Sequence, residues 1–165
     1  MQKSLIYFVS LVLVFSCKQE KTPEILTNSK TEFVSFQNTP KTQKFNPRSE
    51  GILSAWPEFQ EMQDSFEVLY RSDNNEDLVL AINDLLEKEK NLRESTYPKE
   101  FDKAQVKSRQ KVLRTFLLKV KASLAENTDV NTPLKEMLIA RNAFRNQFNV
   151  VINNKLDTEL ILDES

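Results

Sequence analysis

From residue 54 onward the chain sets an apolar side chain at every third or fourth position and fills the gaps with polar and charged residues. Trp56, Phe59, Met62, Phe66, Leu69 and Tyr70 keep this spacing over a first segment that begins near Ser54, with Pro57 in its first turn. A second segment, about 74–95, carries Leu78, Ile82, Leu85, Leu86 and Leu92. A third, about 98–126, carries Phe101, Val106, Val112, Leu113, Phe116, Val120 and Leu124. The fourth opens at Thr132-Pro133, a capping residue followed by proline at the first helical position, and carries Leu134, Met137, Leu138, Phe144, Phe148, Val151 and Ile152. Spacings of three and four belong to a helix with one buried stripe, and no sustained stretch alternates with period two. Short breaks between such segments favour antiparallel neighbours. The pattern therefore predicts an all-α domain, an antiparallel (up-down) four-helix bundle over residues 51–155, followed by an acidic tail at 156–165.

The breaks use asparagine. Gly51 is the only glycine, so turns that need a left-handed backbone fall to Asn74-Asn75, Asn127, Asn131 and Asn153-Asn154. The same scarcity excludes phosphate-cradling loops and dinucleotide fingerprints, which need several glycines. Charge sorts by segment. Residues 57–95 hold 11 acids and 4 bases, 98–126 hold 8 bases and 3 acids, and 132–155 hold 4 bases and 1 acid. An acidic first half facing a basic second half favours packing, although each exposed pair contributes little.

The first 50 residues follow other rules. Lys3 precedes an eleven-residue apolar run, "LIYFVSLVLVF" at 5–15, the length of a secretory h-region and too short to span a bilayer. The run ends in Val14-Phe15-Ser16-Cys17, and Cys17 is the sole cysteine. This stretch resembles the lipobox of bacterial lipoproteins: an aliphatic residue at −3, a small one at −1, then the cysteine that receives lipid. The resemblance implies a signal peptide at 1–16, cleavage before Cys17, acylation of Cys17 and attachment to membrane lipid. "KQE" after the cysteine lacks the aspartate that retains some lipoproteins at the inner membrane, and this implies the outer membrane, on either face. Residues 17–50 then read as the lipidated cysteine and a disordered tether, rich in Lys, Thr, Asn, Gln and Pro, with "TEFVSF" at 31–36 as an apolar spot within it. By random-coil scaling the tether spans on the order of 30 Å.

Candidate chemistry is thin. With no histidine in the chain, a Ser-His-Asp triad, the usual zinc sites and a Glu-x-x-His di-iron site are excluded. Glu58, Glu61, Asp64 and Glu67 are spaced by three and read as a solvated face. Asp73, Asn75 and Asp77 copy the start of an EF-hand loop, but Leu78 stands where its glycine belongs, so helix capping is the reading. The basic stretch "KSRQKVLRTFLLKVK" has acidic partners within the chain, and no nucleic acid is expected to bind it. No cofactor or metal is expected either. These exclusions point to a non-enzymatic envelope lipoprotein with a helical binding or structural module, for which an envelope protein is the candidate partner. The alternatives are a helical-bundle carrier of a small anionic ligand and, third, a carboxylate-dependent hydrolase.

Three charged residues fall on apolar arcs: Glu89 among Leu78, Ile82, Leu85 and Leu92; Arg109 among Phe101, Val112, Phe116 and Val120; Arg141 among Met137, Phe144 and Phe148. A lone charge on a core face is costly, so partners are expected. A hairpin through "STYP" offsets Glu89 and Arg109 by roughly 7 Å at 1.5 Å per residue, within reach of an arginine. The expectation is a partly buried Glu89–Arg109 pair that fixes register, with Arg141 completing an inward polar network.

Overall fold

The computed structural model describes Phe36 and residues 39–162, with side chains to residue 154. Among these residues the chain is all-helical, with five helices. They are α1 (Pro47–Ser54), α2 (Pro57–Leu69), α3 (Asn75–Glu94), α4 (Ala104–Ala125) and α5 (Asn131–Leu162). No helix among them is long and apolar enough to cross a membrane. Cys17 and the signal peptide expected at 1–16 lie outside the described residues.

Local chemistry sets the boundaries. Asn46 caps α1 by accepting from the Ser49 amide at 2.7 Å, and Pro47 supplies the pre-set φ of a first helical residue. Asn74 does the same for α3, accepting from the Asp77 amide at 2.8 Å. In return its Nδ2 donates to Asp77 Oδ2, so the Asp73–Asp77 stretch is a cap. Beyond α4, Asn127 takes φ 52°, the left-handed backbone that glycine elsewhere provides. The Thr128 amide then reaches Ser123 O at 3.0 Å and the Asn127 amide reaches Leu124 O at 3.4 Å, which closes a Schellman motif. At the start of α5 the cap is Asp129, whose carboxylate accepts from the Asn131 and Thr132 amides, rather than Thr132. The Thr132 side chain first, and then these amide bonds, hold the Asp129 carboxyl below its ordinary range. Asn153-Asn154 do not break α5, which runs through the stretch expected to be a tail as far as Leu162.

The core is aromatic at its centre. Phe148 meets Phe59, Phe101 and Phe144 at centroid distances of 5.3, 4.7 and 4.8 Å, and all four rings are fully buried. Backbones approach closely between α2 and α3, α3 and α4, and α4 and α5, while α1 touches both α2 and α5. No Cα of α2 comes within 8 Å of a Cα of α5. These two helices meet only through long side chains, and the wide seam between them is roofed by α1 and by the segment before it.

That segment corrects the extent of the tether. Residues 39–46 lie extended along α5, held by a row of side chains at helical spacing. Asn142 accepts from the Gln43 amide (2.8 Å) and donates to Lys41 O (2.8 Å). Arg145 Nε donates to Gln43 O (2.7 Å), and Asn149 donates to Lys44 O (2.9 Å) and accepts from the Asn46 amide (2.9 Å). Phe45 enters the aromatic cluster beside Phe59 and Phe148, and Phe36 packs edge-on against Tyr70 at 5.4 Å. The packed region thus begins before residue 51. Polar composition hid it because side chains of α5, not a partner strand, satisfy its backbone.

Candidate functional site

Two polar clusters are buried, one at each of two helix seams. At the α3–α4 seam, Glu89 sits on the core stripe of α3 with 0% exposure. Arg114 Nη1 lies 2.6 Å from Glu89 Oε2 and Arg93 Nη1 lies 3.4 Å from the same oxygen. Gln110 Nε2 donates to Glu89 Oε1 at 3.1 Å and to the Glu89 carbonyl at 3.2 Å. Tyr97 in turn donates its hydroxyl to Gln110 Oε1. Both carboxylate oxygens therefore have donors and the charge is neutralised in place. Burial, then the nearby Glu89 carboxylate, pushes the Tyr97 phenol up to about 12.

At the α2–α5 seam the sign is reversed and no ion pair forms. Arg141, 2% exposed, lies flat on Phe66 with its guanidinium carbon 4.1 Å from the ring centroid. It donates through Nη1 to the Tyr70 hydroxyl at 3.0 Å and through Nη2 to Gln63 Oε1 at 3.1 Å. One turn on, Arg145 donates to the same Gln63 oxygen and stacks on Phe45 at 3.8 Å. Among the described residues no carboxylate forms an ion pair with either arginine. Arg141 Nε and Gln63 Nε2 are buried donors with no acceptor. Desolvation lowers the pKa of both guanidinium groups, and the neighbouring Arg141 charge helps bring Arg145 to about 10. A cleft of about 300 Å³ opens here, bounded by Phe45, Leu53, Phe59 and Gln60, with Glu50 and Glu67 also on its wall.

The three charges singled out in the sequence do not come together. Glu89 and Arg141 are buried at different seams and share no partner, whereas Arg109 is exposed and Gln110 takes the inward position. The reason is helical phase. Phe101 precedes the first residue of α4 and Val112 is 39% exposed, so including both turned the inferred stripe toward Arg109. The buried set Val106, Gln110, Leu113, Leu117 and Val120 is centred about 60° away from Arg109. Arg145 and Gln63 were missed, although Arg145 stands one turn from Arg141 on the same face.

Other features are chemically bland. Glu61, Asp64 and Glu67 are exposed, and Glu61 pairs with Lys88 at 3.0 Å. No group of three or more acidic, His or Cys side chains able to hold a metal occurs among the described residues. An apolar groove of about 410 Å³ runs past Val79, Leu80, Leu124 and Val130, where Leu80 is 68% exposed. No protein-family model matches the chain, and searches of curated proteins and of solved structures return no similar protein.

Proposed function

We propose that this chain is a lipid-anchored lipoprotein of the bacterial cell envelope, attached to the outer membrane through acylated Cys17, whose helical domain is a non-catalytic binding module. The observation that carries the module is the pair of desolvated arginines at the α2–α5 seam. A domain with only a scaffolding task gains nothing from buried cations that lack a carboxylate, whereas a site that must accept an anion needs them. The same pair favours the sharper form of this reading, a carrier of a small anionic ligand.

The architecture we infer is an up-down bundle of α2 to α5, with α1 and the preceding extended segment closing its open seam. Contacts between α2 and α3 support it. Ser65 bonds Asp84 at 2.5 Å and Glu61 bonds Lys88 at 3.0 Å, so position rises along one helix as it falls along the other.

Cys17→Ser tests the anchor. The variant is expected to leave the membrane fraction or to persist as uncleaved precursor; maturation and fractionation like the wild type overturn the lipoprotein reading. Crosslinking in the native envelope, followed by identification of the attached species, tests the module.

A further inference from the structure

We propose that the α2–α5 seam binds a small monocarboxylate, its carboxylate bridging Arg141 and Arg145 in place of the Gln63 amide oxygen. This inference rests on the reading of the domain as a binding module and names its ligand class.

The charge of the seam points to an anion. Two guanidinium groups are directed at one acceptor, and that acceptor is a neutral amide oxygen. A carboxylate oxygen in the same place makes charge-assisted bonds about twice as strong, and its planar pair of oxygens matches the arginine fork. The seam also has donors to spare, because Arg141 Nε and Gln63 Nε2 have no acceptor. A group that brings two acceptor oxygens corrects this imbalance, and a cation or a neutral donor worsens it.

The walls select among anions. Glu50 and Glu67 stand on the same cleft, so a polyanion such as a phosphate ester meets repulsion that a single negative charge tolerates. The remaining lining is mixed: Phe45 offers a half-buried ring, Leu53 and Phe59 are almost fully buried, and Thr42, Ser54 and Gln60 add polar groups. There is room for one small aryl or aliphatic group beside polar surface. A cleft of about 300 Å³ limits the ligand to a small molecule or to the terminal residue of a peptide. Arg145 also holds Gln43 O, and Phe45 stacks on Arg145, so the extended segment 39–46 forms part of the site.

The test is titration calorimetry on the full-length chain in non-ionic detergent micelles, with four probes. These are phenylacetate, its neutral amide phenylacetamide, inorganic phosphate, and a dipeptide with an acetylated amino terminus and a free carboxyl-terminal phenylalanine. Saturable binding of phenylacetate or of the dipeptide, at least about tenfold tighter than the amide and phosphate, supports the assignment, and the tighter of the two acids identifies the source as free acid or peptide end. Arg145→Met is expected to weaken that binding at least about tenfold. Gln63→Glu, which builds a carboxylate into the same position, is expected to abolish it while raising the thermal midpoint. Comparable affinity for the amide, failure of both acids, or undiminished affinity in Gln63→Glu overturns the inference. Phosphate binding that still depends on Arg145 discards the ligand class and keeps the module, whereas the absence of any arginine-dependent binding discards both.

Discussion

Glu89 and Arg141 are single charges placed at the centre of helix stripes, each removed from water almost completely, yet their surroundings differ in kind. Around Glu89 the α4 helix delivers Arg114 and Gln110, and α3 itself delivers Arg93 one turn on. Around Arg141 and Arg145 the helices deliver an amide oxygen, a phenol and aromatic faces. The first arrangement is complete within the chain and fixes the register of α3 against α4, because sliding one turn would strand the carboxylate. The second keeps its carboxylates, Glu50 and Glu67, on the cleft wall without an ion pair to either arginine, and leaves donors unused. Buried charge alone therefore does not mark a site; the absence of its counter-charge does.

The largest expected effect tests the complete cluster. Arg114→Met leaves the Glu89 carboxylate with only the longer Arg93 contact and the neutral Gln110 donor, and is expected to destabilise the fold by about 3 kcal/mol in urea denaturation. Adding Glu89→Leu should recover most of that loss, and strictly additive changes would remove the pairing from the account. The incomplete cluster should respond in the opposite direction. Gln63→Glu supplies the missing charge and is expected to stabilise by about 2 kcal/mol, the worth of a charge-assisted bond. Arg141→Met, although it changes a fully buried residue, should stay within about 1 kcal/mol of wild type, because the loss of its contacts is offset by the removal of an unneutralised cation. A loss as large as that of Arg114→Met would erase the contrast between the seams.

Two smaller effects sharpen it. Asn142→Ala and Asn149→Ala each remove side-chain bonds to the backbone of residues 41–46 and should cost about 1 kcal/mol, seen as faster amide exchange confined to that segment. Tyr97 contributes to the alkaline limb, because its neutral form is favoured in the fold by burial and by Glu89 and Asp102, against Arg93. Its contribution is complete below the ordinary phenol value of 10.0 and is lost as pH rises through about 12. Arg145, lowered to about 10 by burial, gains stability over the same interval, so the check is a difference: the wild-type thermal midpoint should fall across it relative to that of Tyr97→Phe.

Much of the fold was legible because it rests on local periodicity. The stripes of α2, α3 and α5 run through the residues read from spacing, including the buried positions of Glu89 and Arg141. Asn74 and Asn127 mark real helix ends, since a chain with one glycine needs another residue for caps and left-handed turns. In α4 one residue of phase made the difference between Arg109 and Gln110. A wheel drawn through Phe101, which precedes the helix, could not resolve it.

What the sequence determined by itself is therefore short-range: which segments are helices and which face of most of them is buried; the resemblance of the first seventeen residues to a lipoprotein signal is equally local. A helical period of 3.6 residues links neighbours three and four apart, so such features are written within one turn of chain. Only the tertiary structure decided that residues 39–46 lie along α5, about a hundred positions away, through Asn142, Arg145 and Asn149. Only it decided that Glu89 pairs with Arg114 while Arg141 forms no ion pair among the described residues, because counter-charges across a seam depend on which faces of two helices meet and at what height. The candidate site lies in this second class. It exists where α2 and α5 stand too far apart for their backbones to touch, and two arginines and a ring of aromatic side chains fill the gap.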